Sequence, residues 1–262
     1  MRTGGLCGAG VLVTRPAQLA EELVAAISAA GGLALPYPVI DIVPRAAAAV
    51  AIDAARLPAP DIVVFVSRNA VACGFDTLAH QAARIAAIGP ATARALAARG
   101  RPADIVPAGG FDTEHLLAEP PMHDVAGRHV RIVRGDDGRE MLATTLRERG
   151  ATVDYLPVYR REPHHASARE RSALARRWRD GGVHFITVLS VATFDNLLAL
   201  LPAACLDALD VPLLVTPSDR VIQTALERMP QIRTLKAAGP GATEMVAAMT
   251  ASSRSQTDDA HD

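Results

Sequence analysis

The sequence predicts an α/β protein made of two similar parallel-sheet lobes joined by a two-stranded β linker, and three observations lead there. Short apolar runs alternate with longer segments of helical periodicity, the pattern of βα units around parallel strands. The pattern is stated twice. Val11-Leu12-Val13-Thr14-Arg15, a helical stretch and Gly31-Gly32 return as Arg131-Ile132-Val133-Arg134-Gly135, a helical stretch and Gly150-Ala151. Val63-Val64-Phe65-Val66-Ser67 is answered by Phe185-Ile186-Thr187-Val188-Leu189-Ser190, Thr92-Ala93-Arg94 by Ser218-Asp219-Arg220, and Asp112-Thr113-Glu114 by Ala242-Thr243-Glu244. The order is kept while the offset widens slowly, as a duplicated βα unit with small insertions requires. Third, two extended, proline-bounded stretches interrupt the alternation: Pro36 to Pro44 and Leu156 to Pro163.

Each element follows from local chemistry. Strands are expected at 10–14, 33–36, 61–66, 84–88, 103–106, 129–133, 152–156, 183–189, 212–215 and 232–237. Helices are expected at 16–30, 69–81, 90–99, 112–118, 138–149, 167–179, 192–201, 218–228 and 242–250. In the first helix Leu19, Leu23 and Ile27 recur at four-residue spacing on one face. Pro16 and Pro90 sit in first turns, where a missing N–H costs little, and Gly100 and Gly150 just beyond helix ends. Proline disfavours helix before it and is excluded from central strands, so the two proline-bounded stretches read as edge or linker strands that pair with each other. The lobes are of flavodoxin- or Rossmann-like type: 1–37 with 163–250 as a discontinuous first lobe and 45–155 as the second. The linkers are 38–44 and 156–162, and a tail at 251–262, like the first nine residues, is expected to be disordered.

Composition narrows the function classes. Half of the 262 residues are hydrophobic but only 3% aromatic, so the core must come from Ala, Val, Leu and Ile. A net charge of −1 argues against nucleic-acid binding by bulk electrostatics, while 27 basic residues, all but Lys236 arginine, suit local anion recognition. Cys7, Cys73 and Cys205 are odd in number and widely spaced, which fits a reducing compartment and neither a disulfide framework nor a metal site. No apolar run reaches membrane-spanning length and no signal peptide precedes the first strand, so a cytoplasmic protein is expected. The eight histidines show no metal-ligand spacing, and GxGxxG, Walker and nucleophile-elbow motifs are absent. Gly109-Gly110 and Gly239-Pro240-Gly241 read as turns ahead of each lobe's last helix.

The candidate site residues cluster at strand-to-helix junctions, where parallel α/β domains bind ligands with free helix N–H groups. In the second lobe these are Ser67, Arg68, Asn69, Gly89, Thr92, Arg134, Gly135 and Arg139; in the first, Arg15, Ser190, Ser218 and Arg220. Ser67 and Ser190 also suit plain N-caps, and Gly89-Pro90 suits a generic turn. Arg139, near the start of the 138–149 helix, works against the helix dipole and so hints at function. Asp219 would repel an anion unless Arg220 neutralises it.

Taken together the motifs resemble the uroporphyrinogen-III synthase family from about Val11 to Met249. The resemblance rests on Val-Leu-Val-Thr-Arg-Pro at 11–16, Phe-Val-Ser-Arg-Asn-Ala-Val at 65–71 and Ala-Ile-Gly-Pro-Ala-Thr-Ala-Arg-Ala-Leu at 87–96. Further support comes from Arg134-Gly135, Gly138-Arg139-Glu140, Val158-Tyr159-Arg160, Leu189-Ser190 and Pro217-Ser218-Asp219-Arg220. It implies a chain that leaves one lobe, builds the second and returns. It also implies a cofactor-free, metal-free monomeric lyase closing hydroxymethylbilane, a linear octacarboxylate tetrapyrrole, with inversion of the last ring. Contact with hydroxymethylbilane synthase would then be transient, and nucleic acid and membrane are not expected partners. Tyr159 matches the family's Val-Tyr-Arg tyrosine and is the expected proton donor, since a phenol ionising near pH ~10 stays protonated at working pH. One departure is Thr216-Pro217-Ser218-Asp219, where many relatives repeat Gly-Pro-Thr-Thr. The competing expectations are a two-lobed tetrapyrrole-binding or regulatory module that has lost catalysis and, more weakly, a solute receptor.

Overall fold

A computed structural model describes residues 5–78, 83–110 and 112–258, with side chains to 253. The chain begins with β1 (Gly10–Val13), α1 (Ala17–Ala29) and β2 (Leu33–Pro36), and leaves along β3 (Ile40–Pro44). It then forms α2 (Ala47–Arg56), β4 (Ile62–Phe65), α3 (Arg68–Leu78), β5 (Arg84–Ala87), α4 (Pro90–Ala98) and the short α5 (Thr113–Ala118) and α6 (Pro120–His123). Next come β6 (His129–Gly135), α7 (Met141–Glu148) and the long β7 (Thr152–Pro163). The rest is α8 (Ala168–Arg179), β8 (Phe185–Thr187), α9 (Val191–Leu200), α10 (Ala203–Leu206), β9 (Leu213–Thr216), α11 (Asp219–Arg228), β10 (Arg233–Lys236) and α12 (Ala242–Asp258). Two compact units result: Met1–Asp41 with Glu162–Asp262, and Ile42–Arg161.

The first unit holds a sheet of order β10-β9-β8-β1-β2, its strands paired in parallel. Alternation along β1 sends Leu12 to one face, with Leu174, Trp178, Phe194 and Val221, and Val11 and Val13 to the other, with Leu23, Ile27, Met245 and Met249. The continuous apolar run Val-Leu-Val is what a strand covered on both faces demands. The second unit has the order β3-β7-β6-β4-β5. Its β4 divides likewise: Val63 and Phe65 meet Val71, Phe75 and Leu96, while Ile62 and Val64 meet Leu116, Leu142 and Leu146. With β3 and β10 set aside, each sheet orders its strands as the sequence repeat does, β2-β1-β8-β9 in one unit and β7-β6-β4-β5 in the other.

The linker segments do pair, but not as simple edge strands. Arg45 N donates to Val158 O at 2.9 Å, and His164 N to Val39 O at 3.1 Å, an antiparallel sense. The 156–162 segment, expected at an edge, continues the core strand and lies between β3 and β6. Its proline is tolerated because a bulge sits there. Residues of β6 and β7 pair one to one as far as Arg134 with Pro157, and then Gly135 pairs with Tyr159. The extra residue, Val158, inverts the alternation. Before the bulge Leu156 faces the Phe65 side and Tyr155 the Leu142 side; after it, Tyr159 joins Leu156 on the Phe65 side.

Several expectations need correction. The 103–106 strand is reduced to one bridge, Ala86 to Ile105, between Pro102 and Pro107, which remove ladder donors. The 138–149 helix starts only at Met141, because Gly138 has φ +152°, outside helical space. Residues 251–258 are helical rather than disordered: no Gly or Pro follows Met249, and Ser253 Oγ donates to Met249 O at 3.0 Å. Near the amino terminus Leu6 is buried, its N donates to Ala30 O at 2.7 Å and Gly8 N donates to Gly31 O at 2.7 Å, so this stretch is tied to the end of α1 although Cys7 and Gly8 are exposed. The end of the expected 69–81 helix, residues 1–4 and 259–262 lie outside the described residues.

Candidate functional site

Parallel pairing brings the carboxyl ends of β4 and β6 side by side in the second unit. From β4 the chain passes through Val66 and Ser67 into α3, and Ser67 Oγ caps that helix by accepting from Ala70 N at 3.0 Å. From β6 it passes through Arg134 and Gly135 into the 136–140 loop. A cavity of about 380 Å³ opens at these ends. Five of the expected residues line it, Ser67, Arg134, Gly135, Arg139 and Tyr159, above an apolar floor of Val66, Ile88, Ile132 and Leu142. Thr113, Asp137 and Arg161 line it too and were not foreseen.

The bulge delivers Tyr159 to this place, and Gly135 makes room for it. A Cβ at Gly135 would lie 2.8 Å from Tyr159 Cε2. The tyrosine is 1% exposed. Its Oη lies 3.4 Å from Ser67 Oγ and accepts from Arg161 Nη2 at 3.4 Å. The Arg161 guanidinium stands 5.7 Å from the ring centre, and its Nη1 pairs with Asp137 at 2.9 Å. Asp136 N donates to Tyr159 O at 3.0 Å, which ties the loop to β7.

Arg134 is buried, with its guanidinium 4.6 Å from the Tyr155 ring centre and Nη1 donating to Glu140 Oε1 at 3.1 Å. The second Glu140 oxygen accepts from Tyr155 Oη. That hydrogen bond, then the one from Arg134, holds the Glu140 carboxyl below the usual carboxylate range. Burial, and then the Glu140 carboxylate, push the Tyr155 phenol up. A Cβ at Gly138 would meet Arg134 Nη2 at 2.8 Å, so a side chain there would dislodge the guanidinium. Arg139 lies just before the N-cap of α7, outside the helix but still at its positive end, and it lines the cavity from the loop. The site thus combines guanidiniums with the hydroxyl residues Ser67, Thr113 and Tyr159 and suits a carboxylate-bearing ligand that must gain or lose a proton.

The profile described as uroporphyrinogen-III synthase HemD matches residues 21–235. This chain belongs to the uroporphyrinogen-III synthase family. It is 34% identical over 208 residues to the uroporphyrinogen-III synthase of Salmonella typhimurium (strain LT2), covering 73% of this chain and 80% of that one. The Escherichia coli (strain K12) enzyme of the same name is 32% identical over 200 residues, with the same coverage. Among solved structures, the uroporphyrinogen-III synthetase of Helicobacter pylori 26695 shares the fold with a TM-score of 0.60 at 15% identity, over 95% of this chain and 99% of that one. A mutant uroporphyrinogen III synthase from the extremely thermophilic bacterium Thermus thermophilus does so with a TM-score of 0.54 at 18% identity, over 96% and 100%.

Other residues expected from the uroporphyrinogen-III synthase motifs fall outside this cavity's lining. Arg68 and Asn69 open α3, Gly89 O accepts from Thr92 N at 3.1 Å, and Thr92 is buried in the first turn of α4. In the first unit Arg15 is buried and donates to Pro240 O, in the turn before α12. Ser190 caps α9 through Thr193 N at 3.1 Å, and Ser218 caps α11 through Val221 N at 3.4 Å. Asp219 is neutralised by Lys236, 2.6 Å away, and not by Arg220, which is exposed. Among the described residues, no helix is long and apolar enough to cross a membrane.

Proposed function

We propose that this chain converts hydroxymethylbilane to uroporphyrinogen III, as a lyase that expels water and inverts the terminal ring. The observation that supports it most is the second unit's cavity, where Tyr159 and Ser67 hydroxyls stand among Arg134, Arg139 and Arg161. Arg134 and Arg139 take substrate carboxylates. Ser67, Arg68, Asn69, Gly89, Thr92 and Gly135 supply further donors around them, and Arg15, Ser190, Ser218 and Arg220 supply those of the first unit. Tyr159 protonates the departing hydroxyl. The apolar floor meets a pyrrole face and keeps water from the electrophilic carbon. The open substrate closes by itself to the uninverted isomer, so the main task is holding a hindered geometry, where orientation supplies the rate. We also place the protein in the cytoplasm as a monomer, a setting that suits its free cysteines Cys7, Cys73 and Cys205.

The test generates hydroxymethylbilane in situ, adds the protein and separates the uroporphyrin isomers. Isomer III is expected to dominate; unchanged production of isomer I rejects catalysis. Tyr159→Phe is expected to lower the yield of isomer III with the melting temperature near wild type. An unaltered yield would remove Tyr159 from the reaction.

A further inference from the structure

We infer that Arg161 is a positioning residue for Tyr159, fixing the direction in which the phenolic proton points; this rests on the role proposed for Tyr159 above. Residues two apart on a strand share a face, and past the bulge β7 places Tyr159 and Arg161 in that relation. The guanidinium folds back over the ring and spans two partners. One arm donates to Tyr159 Oη at 3.4 Å; the other is held by Asp137 at 2.9 Å, on the loop whose Asp136 N grips Tyr159 O. Arginine can only donate, so the phenolic oxygen must accept on that side. Its other neighbour is Ser67 Oγ, 3.4 Å away; either hydroxyl can donate across that gap, and Ser67, whose oxygen accepts from Ala70 N and whose proton has Oη within reach, is taken as the donor. With Arg161 and Ser67 both donating to Oη, the phenolic proton is left to point into the cavity.

The step served balances as follows. The carbon–oxygen bond of the hydroxymethyl group breaks, its electron pair stays on oxygen, and that oxygen takes the Tyr159 proton and departs as water. The positive charge remains on the pyrrole as an azafulvenium ion, and the phenolate keeps the Arg161 and Ser67 donors. The proton shed by the terminal ring's free carbon at closure returns to the phenolate.

A second role for Arg161 would be to clamp a substrate carboxylate directly, and kinetics separate the two. Initial rates against hydroxymethylbilane are measured for Arg161→Met, Arg161→Lys, Tyr159→Phe and the Tyr159→Phe/Arg161→Met double variant. A positioning role predicts that Arg161→Met lowers kcat by about tenfold with KM within about twofold. Arg161→Lys recovers part of the loss, since a lysine still donates to the phenol. The double variant is no slower than Tyr159→Phe alone, because Arg161 acts through that hydroxyl. A rise in KM with kcat unchanged, or additive losses beside a slowed Tyr159→Phe, overturns the positioning role and leaves Tyr159 in place. Wild-type kcat in Tyr159→Phe instead overturns the Tyr159 assignment and this inference with it.

Discussion

Gly135 shows how much one missing methyl group decides. Nothing in its backbone conformation demands glycine, since it falls outside the positive-φ glycines, yet a Cβ there would stand 2.8 Å from the Tyr159 ring. The ring is enclosed and cannot yield without moving Oη away from Ser67 and Arg161. We expect Gly135→Ala to fold and to lose isomer III formation about as far as Tyr159→Phe, measured by the coupled assay beside a thermal melt. Full activity in that variant would mean that the ring position is not critical. Asp104 gives a residue-scale prediction about acid. Hydrogen bonds from Arg101 and from Ile85 N, the latter at 2.7 Å, hold its carboxyl below the usual range. The native state therefore binds fewer protons there than the unfolded chain. Its contribution is complete above the ordinary carboxylate pKa and fades as pH falls through the depressed native value. Asp104→Asn should accordingly flatten the dependence of melting temperature on pH below about pH 4. An unchanged acid limb counts against the linkage.

At the scale of elements, α3 approaches the sheet through Gly74. A Cβ there would meet Val133 Cγ1 and Val158 Cγ1, both at 2.9 Å. Alanine's better helix propensity is worth about 1 kcal/mol, and overpacking costs about 1–3 kcal/mol. Because the two valines are fully buried and belong to adjacent strands, the second effect wins. Gly74→Ala should lower stability by about 1 kcal/mol in denaturant titration, and a gain would show that the helix can shift outward. The same strands explain what could be read from the amino acids alone. Apolar runs and their repetition were enough for both sheets and for the junctions carrying Ser67 and Arg134, because burial on two faces leaves an unmistakable composition. The bulge was not legible, although Pro157 in a strand was its trace. Once it inverts the alternation, Tyr155 turns to Arg134 and Glu140 while Tyr159 turns to Ser67 and Arg161. Arg161 does not stand out without that reversal, the Glu140–Tyr155 pair joins residues 15 apart that no local pattern links, and Arg139 keeps its place at the positive end of α7 although that helix begins only at Met141.

For the whole molecule, the decisive fact is that one unit is a continuous segment and the other is not. Val11, Leu12 and Val13 pair with Phe185, Ile186 and Thr187, so the first sheet is complete only when both ends of the chain are present. Residues 42–161, expressed alone, should give cooperative melting and protected amides. Residues 162–262 alone should stay largely unprotected until a peptide of residues 1–41 is added. Protection in the lone 162–262 fragment would refute this dependence. The arrangement also sets an order of events during translation. The interior segment can fold as soon as it leaves the ribosome. The amino-terminal βαβ motif, with Val-Leu-Val at its centre, must wait for a partner strand encoded some 170 residues downstream. At about 5–20 residues per second that delay is on the order of ten seconds or more. During that interval the nascent chain carries a sticky, half-built sheet, which makes chaperone access and translation speed determinants of yield.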